Sequence, residues 1–160
     1  MSINVLEYGI LSNGEKVCQV VIKNSKGMEA RIITYGAAIG RHANRIKNGY
    51  LKIDQLEYAL TANNEKNSLH SGSSNFIRKI FEHKIIDEST VKLYGFSPDG
   101  KEGFPGNLKL EVTYTLSDEN RLIIKYNAVI DKPTAINITN HSHFNLNGHD
   151  SGSALLQKKP

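Results

Sequence analysis

What the sequence has little of narrows it first. One cysteine, Cys18, stands among 160 residues, so no internal disulfide can form and the paired cysteines of a zinc module are missing. A reducing compartment, the cytoplasm, is expected. No apolar run approaches the length that crosses a bilayer, and the start, MSINVLEYGI, lacks a basic flank followed by an apolar stretch, so neither a membrane span nor a secretory leader is expected. No internal repeat or low-complexity segment appears. The formal charge is +4 and the pI about 9.1, yet Lys and Arg alternate with apolar or acidic residues instead of forming a patch. That pattern fits a solvated mixed-charge surface rather than a nucleic-acid footprint. Helical periodicity is scarce as well.

What is present is period-two alternation, the mark of half-buried strands. With 39% hydrophobic and 22% charged residues, the chain suits one globular domain with a sizeable core. Leu108, Leu110, Val112, Tyr114 and Leu116 share one face, with Lys109, Glu111, Thr113 and Thr115 on the other. A turn through Ser117 to Asn120 leads into a second alternating run, Leu122 to Ile130, and the two predict a hairpin. Further strands are expected over 17–23, 28–34, 50–53, 56–60, 80–87 and 90–96, separated by turns such as Ser12-Asn13-Gly14 and Pro98-Asp99-Gly100. Short strands joined by such turns predict an all-β, antiparallel β-sandwich. Residues 61–75 and 97–107 are too polar and irregular for strands, and long ordered loops on a β scaffold are where binding residues tend to sit.

Three clusters could carry chemistry. In the stretch from Ala135 to Leu146, an extended backbone would turn Ile136 and Ile138 to the core and Asn137, Thr139, His141 and His143 the other way. Histidine titrates near neutral pH, so His141 or His143 could move a proton in a sugar or carbonyl reaction. The pair could equally be ordinary hydrogen-bonded surface histidines. A metal pair completed by His70 is a third reading, although no nearby carboxylate would finish the set. The second cluster, Asn67-Ser68-Leu69-His70-Ser71-Gly72, surrounds His70 with small residues that let a ligand approach the backbone, or is a polar loop with an incidental histidine. The third, Gly40-Arg41-His42-Ala43-Asn44-Arg45-Ile46, offers arginines and an amide as a fork for hydroxyls, or is a basic turn entering a strand.

Taken in order, these clusters and the Ser97-Pro98-Asp99-Gly100 to Leu108 stretch resemble the aldose 1-epimerase (galactose mutarotase) family. Its members show G-R-x-A-N-R-I, N-S-L-H-G-G, S-P-D-G-x-x-G-[FY]-P-G-N-L and T-N-H-S-[YF]-F-N-L; here they stand at residues 40–46, 67–72, 97–108 and 139–146. The resemblance runs from the N-terminus to about Gly152. It implies a β-sandwich of the galactose mutarotase type whose concave face binds an aldohexose such as galactose or glucose, and an isomerase of carbohydrate metabolism needing no cofactor. It also implies catalytic roles for His141, as the acid that protonates the ring oxygen, and for His70, as a second histidine at the sugar. Asn44 and Arg45 become the substrate-binding residues.

Departures from the family pattern bear on what this chain can do. Family members are about twice as long, and their glutamate base and a sugar-binding aspartate lie in the half that has no counterpart here. Were the chain to act alone, Glu65, Asp99 and Glu102 are the first carboxylates to check. Thr34 to Gly40 joins two family segments normally separated by strands, which implies an internal deletion near 37–39 within a partial domain spanning 1–152. Residues 153–160 form a divergent tail. His143, His42 and Ser71 replace, respectively, an aromatic, an aliphatic and a glycine of the family pattern. A catalytically inactive remnant or a carbohydrate-binding module is therefore the alternative reading.

Overall fold

The computed structural model describes residues 1–145. Two antiparallel sheets face each other across one core. The first is built from β1 (Ser2–Ile10), β2 (Lys16–Lys23) and β3 (Glu29–Ile33), in the order β1-β2-β3. The small pairs β4 (Arg45–Ile46) with β7 (Ser68–Leu69), and β5 (Tyr50–Ile53) with β6 (Leu56–Ala59), lie between the sheets in sequence. The second sheet holds β8 (Glu82–Asp87), β9 (Thr90–Ser97), β10 (Leu108–Leu116) and β11 (Leu122–Ile130), in the order β11-β10-β9-β8.

Alternation explains the packing. In β10 the residues Leu108, Leu110, Val112, Tyr114 and Leu116 are all buried, and the register sets Val112 opposite Leu93 on β9 and Tyr126 on β11. They meet Val20 and Ile22 of β2 and Ala30 and Ile32 of β3, with Phe76 and Phe81 filling the centre. Full burial of such side chains contributes about 1.5–3 kcal/mol each. Asn24, 5% exposed, ties the sheets at one end. Its Nδ2 donates to the Ser117 carbonyl (2.9 Å) and to Asn120 Oδ1 (2.7 Å), while its Oδ1 accepts from the Lys26 and Met28 amides.

The structure departs from the sequence expectations in three places. Strand β1 was not anticipated: its apolar residues point to both faces, because at a sheet edge Val5, Leu6, Tyr8 and Ile10 stay 42–61% exposed and no alternation is required. The 135–143 stretch is not a continuous strand. It makes isolated bridges at Asn137 and Thr139 only, and Ile136 is 40% exposed while Ile138 packs against the core. Finally, the 61–75 loop contains β7, anchored by Asn63, whose side chain both donates to the Leu69 carbonyl and accepts from its amide.

The join between β3 and the first site loop is fully integrated. Thr34, 1% exposed, accepts from the Cys18 amide through Oγ1 (2.9 Å) and donates its own amide to the Cys18 carbonyl. Ala37, Ala38 and Ile39 are buried, and Tyr114 Oη donates to the Ala37 carbonyl (3.1 Å). Burial around that hydroxyl pushes the Tyr114 pKa up to about 12, so it remains a donor under all ordinary conditions. Gly36 at φ +71° passes so close to the chain that a Cβ would sit 2.8 Å from the Ile77 carbonyl oxygen, and only glycine fits there.

Candidate active site

Three loops distant in sequence are stitched together by backbone and side-chain hydrogen bonds. Residues 39–43 and 137–139 exchange hydrogen bonds: Ile39 with Thr139 in both directions, Asn137 N to Arg41 O (2.8 Å) and Ala43 N to Asn137 O (2.6 Å). Residues 42–46 meet 68–71 through the β4–β7 pairing of Arg45 with Leu69 and through Ser71, whose Oγ accepts from the His42 amide (2.7 Å) and donates to the His42 carbonyl (3.2 Å). Asn75 holds the far side of that turn, donating to the carbonyls of His70 and Gly72.

The stitching opens a depression of about 630 Å³, lined by Asn44, Arg45, His70, Asn137, Thr139, Asn140, His141, Ser142 and His143 together with Ala43 and Leu69. His70 and His141 meet edge to face with ring centroids 5.7 Å apart, and the His141 and His143 centroids are 5.4 Å apart. Thus the loop histidine and the 139–146 histidine, 71 positions apart in sequence, share one surface with Asn44 and Arg45. Burial, then the neighbouring His141 and Arg45, holds the His70 imidazole below its ordinary pKa, favouring its neutral form. Arg45 is exposed, lines the depression and donates through Nε to Asn64 Oδ1 (2.9 Å).

Arg41, grouped with Arg45 as part of one fork, is not at the surface. It is 2% exposed and spends its guanidinium on Ser97 Oγ (3.0 Å) and on the carbonyls of Ser97 (2.9 Å), Pro98 (2.9 Å) and Pro105 (2.8 Å). Its role is to clamp the 97–107 loop against the site loop. Asp99 in that loop accepts from the Gly106 amide and pairs with Lys132 (2.8 Å); the Lys132 hydrogen bond, with that of Gly106, holds its carboxyl below the usual range.

No Asp or Glu lines the depression among the described residues. Asp99 is engaged as above. Glu102 Oε1 accepts from the Ser74 amide (2.5 Å), and although burial pulls its pKa up, the hydrogen bonds of Thr61 and Ser74 outweigh that and hold it below the usual value. Glu65 sits in the 64–67 turn at φ +55°. The described residues include no group of three or more His, Cys, Asp or Glu arranged to hold a metal ion. The end of the 139–146 motif and the 153–160 tail lie outside the described residues. Sequence reasoning missed Ser71, Asn75 and Asn137 as stitches; their only signal was the frequency of Ser and Asn in these loops, residues that bond back to nearby backbone.

A family model described as Aldose 1-epimerase matches residues 12–158. The chain is 38% identical to a galactose mutarotase of Homo sapiens over 162 residues, an alignment that takes in 92% of this chain and 47% of that protein. It is 41% identical to an aldose 1-epimerase of Escherichia coli K12 over 116 residues, covering 72% and 34%. Among solved structures, a galactose 1-epimerase from Lactobacillus acidophilus superposes with a TM-score of 0.83 at 28% identity, covering 91% of this chain and 53% of that one. The chain spans about half the length, or less, of the curated relatives it matches.

Proposed function

Because the chain belongs to the aldose 1-epimerase family, we propose that it carries the proton-donor side of a site that interconverts the α and β anomers of aldohexoses such as galactose and glucose. Opening the hemiacetal needs two proton transfers: a base takes the C1 hydroxyl proton as the bond from C1 to the ring oxygen breaks, and an acid protonates that oxygen. The carbonyl carbon then turns and the ring recloses on its other face. His141 is the acid, His70 a second imidazole on the sugar, and Asn44 and Arg45 hold hydroxyls. Proton transfer of this kind calls on neither a metal nor an organic cofactor. The general base and the second carboxylate fall to residues outside this chain.

The observation that carries this reading is the single depression shared by His70, His141 and Arg45. The second reading, a non-catalytic remnant or sugar-binding module, draws on the lack of any lining carboxylate among the described residues. An internal deletion near 37–39 is part of the proposal. The human alignment runs over 162 residues although only 92% of this 160-residue chain takes part, so gaps fall somewhere within the chain; the position near 37–39 rests on the join from Thr34 to Gly40. Among the described residues no helix is long and apolar enough to cross a membrane, and the cytoplasm remains our proposed location.

Titration with galactose and with glucose tests the sugar site. Saturable shifts of the His70 and His141 ring signals, weakened in Arg45→Ala, are expected; sugars that move neither ring would contradict the assignment.

A further inference from the structure

Asn44 touches His70 twice, and both contacts use the main chain. Its amide donates to His70 Nδ1 at 3.0 Å, and its carbonyl accepts from the His70 amide, also at 3.0 Å. Its own side-chain Oδ1 accepts from the Arg45 amide at 3.0 Å. Asn44 sits at φ +68°, in the left-handed region that asparagine tolerates better than other non-glycine residues. The left-handed turn is what brings its N–H round to face the ring.

A ring nitrogen that accepts a hydrogen bond carries no proton. The neutral imidazole has one donor and one acceptor nitrogen, so engaging Nδ1 as acceptor places the proton on Nε2. Protonating Nδ1 would set two N–H groups against each other. We propose that Asn44 is a positioning residue that acts through its main-chain N–H to fix His70 as an Nε2–H hydrogen-bond donor, leaving His141 as the only proton donor of the pair. This division of labour rests on the mutarotase reading of the site, but the hydrogen bond itself does not. The charged and titratable groups facing His70 all discourage a second positive charge there: His141 at 5.7 Å and Arg45, with His143 behind His141. His70 then offers a hydroxyl-directed donor of constant charge while its neighbour cycles a proton.

The assignment predicts a measurable bond without any sugar present. In uniformly ¹⁵N-labelled protein, a through-hydrogen-bond coupling should connect the Asn44 amide nitrogen to His70 Nδ1, and the ring should show the Nε2–H pattern alone. These signals can be read in solution or by magic-angle spinning, so association of the chain does not block the measurement. Asn44→Gly keeps both the N–H and access to positive φ, and should retain the coupling and the tautomer. Asn44→Val, β-branched and strained at positive φ, should lose the coupling and give a mixture of tautomers. Absence of the coupling in the unaltered chain, or its loss in Asn44→Gly, would overturn the proposal even if Asn44→Val fails to fold. Failure of the sugar titration alone would instead count against the mutarotase reading and leave this bond standing.

Discussion

The rings of His70 and His141 stand at 83° to each other with centroids 5.7 Å apart, so two titratable groups from separate loops occupy one small surface. Protonating both places two positive charges side by side, which costs free energy that neither pays alone in water.

Stability should therefore depend on pH through His70. Its folded pKa lies below the ordinary value, first by burial and then by His141 and Arg45. In the unfolded chain it takes up a proton near pH ~6.5, so below that pH the unfolded state binds more protons than the folded one and stability falls as pH drops toward the folded pKa. The depressed carboxylates Asp99, Asp118 and Asp131 lose their contribution at lower pH, around 4 and below. Melting temperature measured from pH 7.5 to 5 should decline, and less steeply in His70→Gln. An unchanged slope in that variant would count against the assignment.

Arg41→Lys should be destabilising by about 3 kcal/mol, because an ammonium cannot reach the four acceptors on Ser97, Pro98 and Pro105 that the buried guanidinium fork satisfies. Arg45→Lys, at an exposed position, should change stability by less than about 0.5 kcal/mol. Denaturant titration of both variants checks the contrast; equal effects would mean that Arg41 is not the clamp.

Asn24→Ala removes the side chain that joins the 24–28 turn to the Ser117–Asn120 turn. A loss of about 2 kcal/mol is expected, since the Ser117 carbonyl and the Lys26 and Met28 amides lose their part-buried partner. A change within about 0.5 kcal/mol would show that water replaces the amide at no cost.

Among the described residues, strands β1, β3, β8 and β11 form sheet edges. Val5, Leu6, Tyr8, Ile10, Ile33, Ile123 and Val129 are exposed on them, and an opening of about 430 Å³ lies between β3 and β11 beside Tyr114 and Phe144. Unpaired edges with apolar neighbours favour association. Sedimentation should show self-association that grows with concentration, and a monodisperse, cooperatively melting monomer would show that the surface is protected.

Legibility in the sequence followed burial. The β10–β11 hairpin was readable because one face of β10 is buried along its whole length and the matching face of β11 is half-buried from Leu122 to Ala128, so each strand must alternate. Strand β1 was not, since an edge in water imposes no pattern on Val5, Leu6 or Tyr8. The site motifs were readable as residue types in order, and their convergence on one depression followed from backbone stitches that no period reveals. Arg41 and Arg45 show the limit most sharply: two arginines in one motif, one buried as a clamp and one exposed at the opening.

Polarimetry on freshly dissolved α-galactose and α-glucose tests the central claim, that the chain holds the acid of an epimerase site and not its base. A positioned proton donor or acceptor contributes about a hundred- to ten-thousand-fold, and ring opening needs one at each end. The chain and its His141→Ala variant should both leave the anomers interconverting at the buffer rate. A rate well above buffer that His141→Ala abolishes would contradict the account and place a working base within this chain.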